Sequence, residues 1–246
     1  MPRKIRCTVA AITDHGGRVY TVDLALAGAA PSFRPGQFLH LTVDPYDPSG
    51  FWPESRVFSI ASSPSDRRRI RVCYSVKGRY TAKMEQALQA GREVWIKLPY
   101  GEFVIDDSID AVLLAGGTGI SAFTAFIEAL KPEHPKQVWL VYGAREPKLL
   151  LFREMIVAQF GKVPNFRVLF FTEAGSDGFS REMAALARSP QCLPGLISLD
   201  LIWPRVTDAA SKVFYLSGPP VMLTTLGDHL KTRGLAPDRI RTDAWE

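Results

Sequence analysis

Short runs of alternating apolar and polar residues fill the first hundred positions, with turn-forming residues between them. Alternation of this kind predicts β-strands with one buried face. One segment differs, because Thr81–Leu88 carries its apolar residues at helical spacing and Gly91 follows as a stop signal. The pattern predicts a small antiparallel Greek-key barrel interrupted by one helix. Its predicted strands are Ile5–Ile12, Val19–Leu26, Gln37–Val43, Arg56–Ile60, Arg69–Ser75 and Glu93–Leu98.

From about residue 110 the pattern changes to continuous apolar runs that alternate with helical segments. Ala111–Ala115 is apolar throughout, as is typical of a strand buried on both faces of a parallel sheet. Strand–helix alternation predicts right-handed crossovers and a doubly wound α/β sheet. Its further predicted strands are Val138–Tyr142, Arg167–Phe171 and Val213–Leu216, and its helices are Ile120–Leu130, Leu149–Phe160 and Val221–Leu230.

These two patterns predict two domains, residues 1–106 and 107–246, divided at the polar stretch Asp106–Ser108. Residues 189–211 contain three prolines and are predicted to be irregular, with no function assigned. The length of 246 residues suits two domains of ordinary size, and 46% hydrophobic with 22% charged residues is typical of a globular protein.

Composition also excludes several classes of protein. No apolar run reaches the roughly 18 residues of a membrane-spanning helix. The basic residues at the start precede no apolar core, so we expect no secretory signal, no membrane insertion and a cytoplasmic location. Cys7, Cys73 and Cys192 are scattered without metal-ligand spacing. We therefore expect no metal site and no iron–sulfur centre in this chain.

The formal net charge is +5, and Arg67, Arg68 and Arg69 form its densest cluster. One interpretation is a solvated end of a hairpin. Another is a docking patch for an acidic electron-transfer protein, because a positive surface speeds encounter with a negative partner. No aromatic residues interleave with these charges, which argues against nucleic-acid binding.

The segment Arg56-Val57-Phe58-Ser59 suits a flat redox cofactor with a phosphate tail. An aromatic side chain offers a bed for a ring, and a guanidinium group binds phosphate oxygens in a bidentate manner. Downstream, Gly78-Arg79-Tyr80-Thr81 opens the predicted helix, where backbone N–H groups favour phosphate. The alternative is an edge-strand arginine in water beside a buried phenylalanine.

A second glycine motif, Gly116-Gly117-Thr118-Gly119, lies between the predicted strand Ala111–Ala115 and a helix. Residues 117–122 fit the G-x-G-x-x-A pattern, in which glycines allow the backbone to approach a pyrophosphate at a helix N-terminus. Two nucleotide sites in one chain suggest electron transfer between them.

The order of these motifs resembles the ferredoxin–NADP reductase family over nearly the whole chain, with Arg34–Phe38 and Pro99–Phe103 as further matching segments. The resemblance implies an FAD domain in which Arg56 holds the diphosphate, Phe58 lies against the flavin ring and Ser59 bonds its N5 region. It extends the flavin site to Val57, Cys73, Tyr74, Ser75, Gly78, Tyr80 and Thr81, and Ser62 fits the FAD form of the motif. Cys73 is equally well explained as a buried apolar thiol.

For the nicotinamide domain, the resemblance implies contacts from Arg145, although this residue has Glu146 and Glu154 as alternative partners. Ser217-Gly218-Pro219 resembles a Cys-Gly-Pro element that faces the nicotinamide, with serine in place of the cysteine. Met222 packs near the cofactor or in the core.

The end of the chain adds two candidates. Trp245 matches an aromatic that stacks on the flavin, the alternative being a loosely packed terminal residue, and Asp243 matches a family carboxylate. Ser59, Ser217, Asp243 and Trp245 are the catalytic candidates. Glu173 favours NADH over NADPH because a carboxylate repels a 2′-phosphate, whereas Lys148 or Arg181 would favour NADPH.

The sequence therefore predicts a stand-alone FAD oxidoreductase that takes a hydride from NADH or NADPH. Electrons then pass to a one-electron acceptor such as ferredoxin, flavodoxin or an oxygenase component. Alternatives are an electron-transfer subunit of a larger enzyme, a flavin or ferric reductase, and a non-enzymatic dinucleotide sensor.

Overall fold

A computed structural model describes residues 2–179 and 189–243, which divide into two compact units. One unit runs to Val104 and includes Thr124–Phe126; the other comprises Ile105–Phe123 and the chain from Ile127 onward. The first contains helix α1, Arg79–Ala87, and six strands: β1 Arg3–Asp14, β2 Val19–Leu26, β3 Phe38–Thr42, β4 Arg56–Ser59, β5 Arg69–Ser75 and β6 Glu93–Tyr100.

The six strands of the first unit form one antiparallel sheet in the order β4-β3-β6-β1-β2-β5. The sheet curls until its edges approach, because the N–H of Ala61, just beyond β4, donates to the carbonyl of Arg71 on β5 at 2.8 Å. Alternate side chains fill the interior, including Val22, Leu24 and Ile96. The antiparallel barrel predicted from the alternation is confirmed. The two strands predicted to bind the flavin, β4 and β5, are the edge strands of this sheet.

The second unit is a parallel sheet in the order β10-β9-β8-β7-β11-β12. Its described strands are β7 Ala111–Gly116, β8 Val138–Ala144, β9 Phe166–Thr172, β10 Gln191–Pro194, β11 Val213–Ser217 and β12 Ile240–Asp243. Its helices include α2 Ser121–Ala129, α3 Arg153–Lys162, α4 Leu199–Ile202 and α5 Pro220–Thr232.

The chain order across this sheet places its crevice between β7 and β11. From β7 the strands run outward through β8 and β9 to β10, and the chain then returns to the other side of β7 at β11. Ligands of doubly wound sheets bind beyond the carboxyl ends of the strands at such a reversal. The predicted doubly wound architecture is confirmed, and both glycine-containing loops beyond β7 and β11 open at this reversal.

Three details differ from the sequence predictions. The prediction that residues 189–211 are irregular was wrong, because Gln191–Pro194 forms edge strand β10 and Leu199–Ile202 forms α4. Strand β12 was missed. The helix predicted from Leu149 begins at Arg153, because a 3-10 turn, Pro147–Leu149, and a left-handed residue, Phe152, precede it.

Across residues 2–179 and 189–243, no helix combines the length and the apolar composition needed to cross a bilayer.

Candidate nucleotide-binding sites

Arg56 lies on edge strand β4, over the ring of Tyr80, with its guanidinium carbon 4.6 Å from the ring centroid. Tyr80 is buried, and its hydroxyl donates to the Glu54 carbonyl at 2.8 Å and accepts from the Val43 N–H at 3.1 Å. The buried ring is thus fixed at both its face and its hydroxyl. Tyr80 is predicted to bind the cofactor, and in this structure its ring contacts the Arg56 guanidinium group.

Gly78 caps α1 in an extended conformation with φ of −145°. A Cβ at this glycine would meet no heavy atom within 4 Å, so the space before the helix is open. Thr81 closes the cap, because its hydroxyl accepts from the N–H groups of Lys77 at 3.0 Å and of Gly78 at 3.1 Å. The Thr81 hydroxyl therefore shapes the turn that leaves this space free.

Glu54 lies beside Arg56. The sequence analysis did not identify Glu54 as a site residue. One carboxylate oxygen lies 2.9 Å from the Arg56 guanidinium and the other lies 3.7 Å from that of Arg79. Arg79 is 90% exposed and belongs to the first turn of α1. Two guanidinium groups therefore converge on one anion, which in this structure is a side-chain carboxylate.

Phe58, Tyr74 and Tyr20 form a row of aromatic rings that runs over the edge strands β4 and β5 and the neighbouring strand β2. The Phe58 and Tyr74 centroids are 6.1 Å apart, and Tyr74 stacks on Tyr20 at 5.3 Å. Burial raises the pKa of the Tyr74 hydroxyl above its usual range. The Tyr20 hydroxyl donates to Glu85 at 2.9 Å. Tyr74 is buried in the barrel core, and Phe58 and Tyr20 pack against that core while remaining partly exposed.

The remaining predicted flavin residues differ in exposure. Val57 and Ser75 are partly exposed, whereas Ser59 is 8% and Cys73 is 4% exposed. Burial raises the pKa of the Cys73 thiol to about 12, so this thiol is protonated and unreactive at neutral pH. Its surroundings are those of a buried apolar residue. Ser62 accepts a hydrogen bond from the Arg71 N–H at 3.1 Å and thereby ties the two edge strands together.

The segments Arg34–Phe38 and Pro99–Phe103 have a structural role in the barrel. Gly36 has a φ of +97°, and a Cβ there would lie 2.4 Å from the Phe103 carbonyl oxygen. The Gln37 amide donates to the Gly101 carbonyl at 3.0 Å. These two motif segments therefore pack on each other, which explains why the chain carries them together.

In the second unit, the glycine loop follows β7 as a 3-10 turn, Gly117–Ile120, and leads directly into α2. Gly117 has a φ of +53°, and a Cβ there would meet nothing within 4 Å. A Cβ at Gly119 would instead lie 2.3 Å from the Ser217 carbonyl oxygen. Gly117 thus borders open space. At position 119 a glycine is required, because the Ser217 backbone leaves no room for a Cβ.

The loop beyond β11 packs on the same glycine motif. A Cβ at Gly116 would lie 2.5 Å from the Met222 sulfur and 2.9 Å from Pro219. Gly218 has a φ of +156° and faces the Gly116 backbone. Met222 also packs against the apolar core, so it covers the motif from the core side. Ser217 donates to Asp243 at 2.9 Å, which brings two predicted catalytic residues together.

Arg145 and Glu173 follow adjacent parallel strands at the same edge of the sheet. The Glu173 N–H donates to the Ala144 carbonyl at 3.3 Å, and both charged side chains are exposed. Glu146, one alternative partner for Arg145, pairs with Lys148 at 2.9 Å. Within the part of the chain that the structure describes, Arg145 forms no ion pair with Glu146 or Glu154.

Comparison with known proteins places this geometry in a family. Residues 113–227 match the model of the oxidoreductase NAD-binding domain. The flavohemoprotein of Deinococcus radiodurans is 30% identical over 199 residues, which are 78% of this chain and 46% of that protein. The reductase component of propane 2-monooxygenase from Mycolicibacterium smegmatis is 25% identical over 87% of this chain and 59% of its own length.

Residues 113–227 belong to the oxidoreductase NAD-binding domain family.

A solved structure agrees with the fold of this chain. The flavohem-like FAD/NAD-binding domain of nitric oxide dioxygenase from Vibrio cholerae aligns with a TM-score of 0.73 at 20% identity. That alignment covers 98% of both chains. The chain spans about half of the first two curated relatives described above, with 46% and 59% of their lengths.

The residues of this chain fit two nucleotides. Gly78 and Gly117 each leave open space at a helix start, and a side chain there would fill it. Over residues 2–179 and 189–243, no group of three or more His, Cys, Asp or Glu side chains is arranged to hold a metal ion. Two predicted residues, Trp245 and Arg181, lie outside the described residues.

Proposed function

We propose that this protein is an FAD-dependent oxidoreductase that takes a hydride from NADH and passes electrons to a one-electron acceptor. The observation that carries the proposal is the pair of open glycines, Gly78 and Gly117, each at a helix start in its own unit. A backbone N–H group at such a position binds phosphate, and the glycine lets the ligand approach closely. Two open helix starts of this kind provide one phosphate-binding position for each of two dinucleotides.

The residues of the first unit would bind and orient FAD. Arg56, held over Tyr80, and the exposed Arg79 would bind the diphosphate, because a guanidinium group forms paired hydrogen bonds to phosphate oxygens. Phe58 and Tyr74 would support the ring system, and Ser59 would hydrogen-bond near its N5 position. Bound FAD supplies the redox chemistry, accepting two electrons as a hydride and releasing them one at a time.

The residues of the second unit would bind and orient the nicotinamide nucleotide. The loop from Gly116 to Gly119 would hold the pyrophosphate at the reversal of the sheet. Ser217 would face the nicotinamide, with its hydroxyl fixed by Asp243. Stacking of Trp245 on the flavin, implied by the resemblance, remains part of the proposal.

The proposed electron donor is NADH, not NADPH. Glu173 is exposed beyond β9, where a carboxylate accepts hydrogen bonds from ribose hydroxyls and repels a 2′-phosphate. Lys148, the cation that would favour a phosphate, is paired with Glu146 at 2.9 Å. Arg145 is exposed at the same edge and would contact the nucleotide diphosphate or ribose.

The proposed acceptor is a ferredoxin-like protein, a flavodoxin or an oxygenase component. Of the predicted docking cluster, Arg67 donates from its side chain to the Ala30 carbonyl at 2.7 Å, and Arg69 pairs with Asp66 at 3.4 Å. Arg68 is exposed and, within the described residues, its side chain forms no ion pair. An acidic partner would therefore meet Arg68 first. The proposal keeps the predicted cytoplasmic location.

The test of the flavin site compares two variants with two matched controls. Gly78→Val places a side chain in open space at a φ that valine accepts, so the fold should survive while FAD affinity falls at least tenfold. Gly28→Val also points into open space in the same barrel and should bind FAD like the wild type. Arg56→Ala should likewise weaken FAD, whereas Arg6→Ala, which removes another exposed barrel arginine, should not.

FAD affinity measured by titration calorimetry and stability measured by thermal unfolding decide this test. If the Gly78→Val and Arg56→Ala variants bind FAD as tightly as their controls, the flavin site lies elsewhere and the proposal fails. An apoprotein that binds NADH but no flavin would favour the dinucleotide sensor.

A further inference from the structure

The Glu54 carboxylate lies near two guanidinium groups of the first unit. Its two carboxylate oxygens lie 2.9 Å from the Arg56 guanidinium and 3.7 Å from that of Arg79. The first turn of α1 carries no acidic residue of its own. Glu54 therefore supplies the negative charge that the two arginines would otherwise take from a ligand.

The backbone of Glu54 is anchored, so its position does not depend on the ion pairs. The Tyr80 hydroxyl donates to the Glu54 carbonyl at 2.8 Å, and Tyr80 itself is 2% exposed. Beside it, the Ser55 carbonyl accepts from Arg56 at 2.8 Å, and the Ser55 hydroxyl accepts from the Trp52 indole N–H at 3.0 Å. These bonds hold the main chain, which keeps the carboxylate near the arginines.

We propose that Glu54 is an internal competitor of the flavin diphosphate and thereby lowers the affinity of the protein for FAD. This inference rests on the proposed function, because it assigns a role within the same flavin site. A diphosphate that binds Arg56 and Arg79 must separate them from Glu54. If the carboxylate stays nearby it repels the phosphates, and if it turns away it loses both ion pairs.

Exposure limits the size of the effect. The side chains of Glu54 and Arg56 are each 43% exposed, so water screens their interaction. An exposed ion pair changes an equilibrium by up to about fivefold. Glu54 therefore tunes the affinity for FAD by a small factor, whereas changes at Arg56 and Gly78 should lower that affinity much more.

The experiment measures dissociation constants for FAD and for riboflavin, which has the same ring system without phosphate. Glu54→Gln keeps the size of the side chain and removes its charge. It should tighten FAD binding about fivefold and leave riboflavin binding unchanged, because only the diphosphate competes with the carboxylate. The matched control is Glu93→Gln, which removes an exposed carboxylate paired with Arg6 at 3.5 Å and should change neither constant.

Three results would overturn the inference: FAD binding that is unchanged in Glu54→Gln, FAD binding that is weaker, or an equal tightening of riboflavin. Glu54→Ala, measured in parallel, keeps the test open if the glutamine variant is unstable. Failure of the proposed function looks different, since the wild-type protein itself would then bind no FAD.

Discussion

The Ser217 hydroxyl donates a hydrogen bond to the Asp243 carboxylate at 2.9 Å, and the two side chains are 3% and 4% exposed. The two residues are register partners at the carboxyl ends of the parallel strands β11 and β12. The bond therefore joins the loop that packs on the glycine motif to the last strand of the sheet. It also fixes the hydroxyl that stands where the family's cysteine would be expected.

Replacing Ser217 with alanine should destabilise the second unit. The change removes a donor to a buried carboxylate, and hydrogen bonds to charged groups contribute about 1.5–3 kcal/mol. We expect the free energy of unfolding, measured in urea, to fall by about 2 kcal/mol. Ser211→Ala is the control, because it removes an exposed hydroxyl that donates to a carbonyl at 2.8 Å. Equal stability of both variants would show that the buried bond contributes little.

Gly117 and Gly119 should respond differently to alanine, although both belong to one motif. At Gly119 the added Cβ overlaps the Ser217 backbone, so Gly119→Ala should lower the unfolding temperature strongly. At Gly117 the space is open and the positive φ costs about 1 kcal/mol, so Gly117→Ala should fold and lose NADH affinity. Calorimetric titration with NADH checks this. A Gly117→Ala protein with wild-type affinity would remove this loop from the binding site.

Glu173→Gln should narrow the preference for NADH over NADPH. The variant keeps hydrogen bonding to a ribose but removes the charge that repels a 2′-phosphate. We expect kcat/KM with NADPH to rise several-fold, while that with NADH changes less. Glu154→Gln, at the start of α3, provides a charge-matched control. A wild-type protein that prefers NADPH would contradict the role given to Glu173.

The three cysteines should react with iodoacetamide in a fixed order. Burial raises the pKa of both the Cys7 and the Cys73 thiol to about 12, so in mildly alkaline buffer these thiols stay protonated and inaccessible. Cys192, on edge strand β10, is partly exposed and should be alkylated first. Peptide mass spectrometry measures the order. Rapid alkylation of Cys73 in the folded protein would show that strand β5 opens.

Much of the fold follows from local pattern. Strands Val19–Leu26 and Arg69–Ser75 begin and end where the alternation predicts, because each has one face in the barrel core. Strands β10 and β12 were not predicted, because their sequences lack a clear strand pattern. Each has four residues and lies at an edge of the sheet, where partial exposure removes the apolar signal.

The candidate sites show a similar limit. The motif around Arg56 predicts an anion site, but the pairing of Glu54 with Arg79 joins residues 25 positions apart. Only the folded barrel brings the first residue of α1 close to the segment that precedes β4. Gly117 and Gly119 also look equivalent in the sequence, and they differ because the loop beyond β11, a hundred residues later, touches one of them.

The most direct test of the account is an anaerobic titration of the FAD-loaded protein with NADH, followed by visible absorbance. We predict that stoichiometric NADH bleaches the flavin bands and that NADPH does so far less efficiently. A flavin that keeps its oxidised spectrum with both nucleotides would contradict the central claim that this chain moves electrons from a nicotinamide to a flavin.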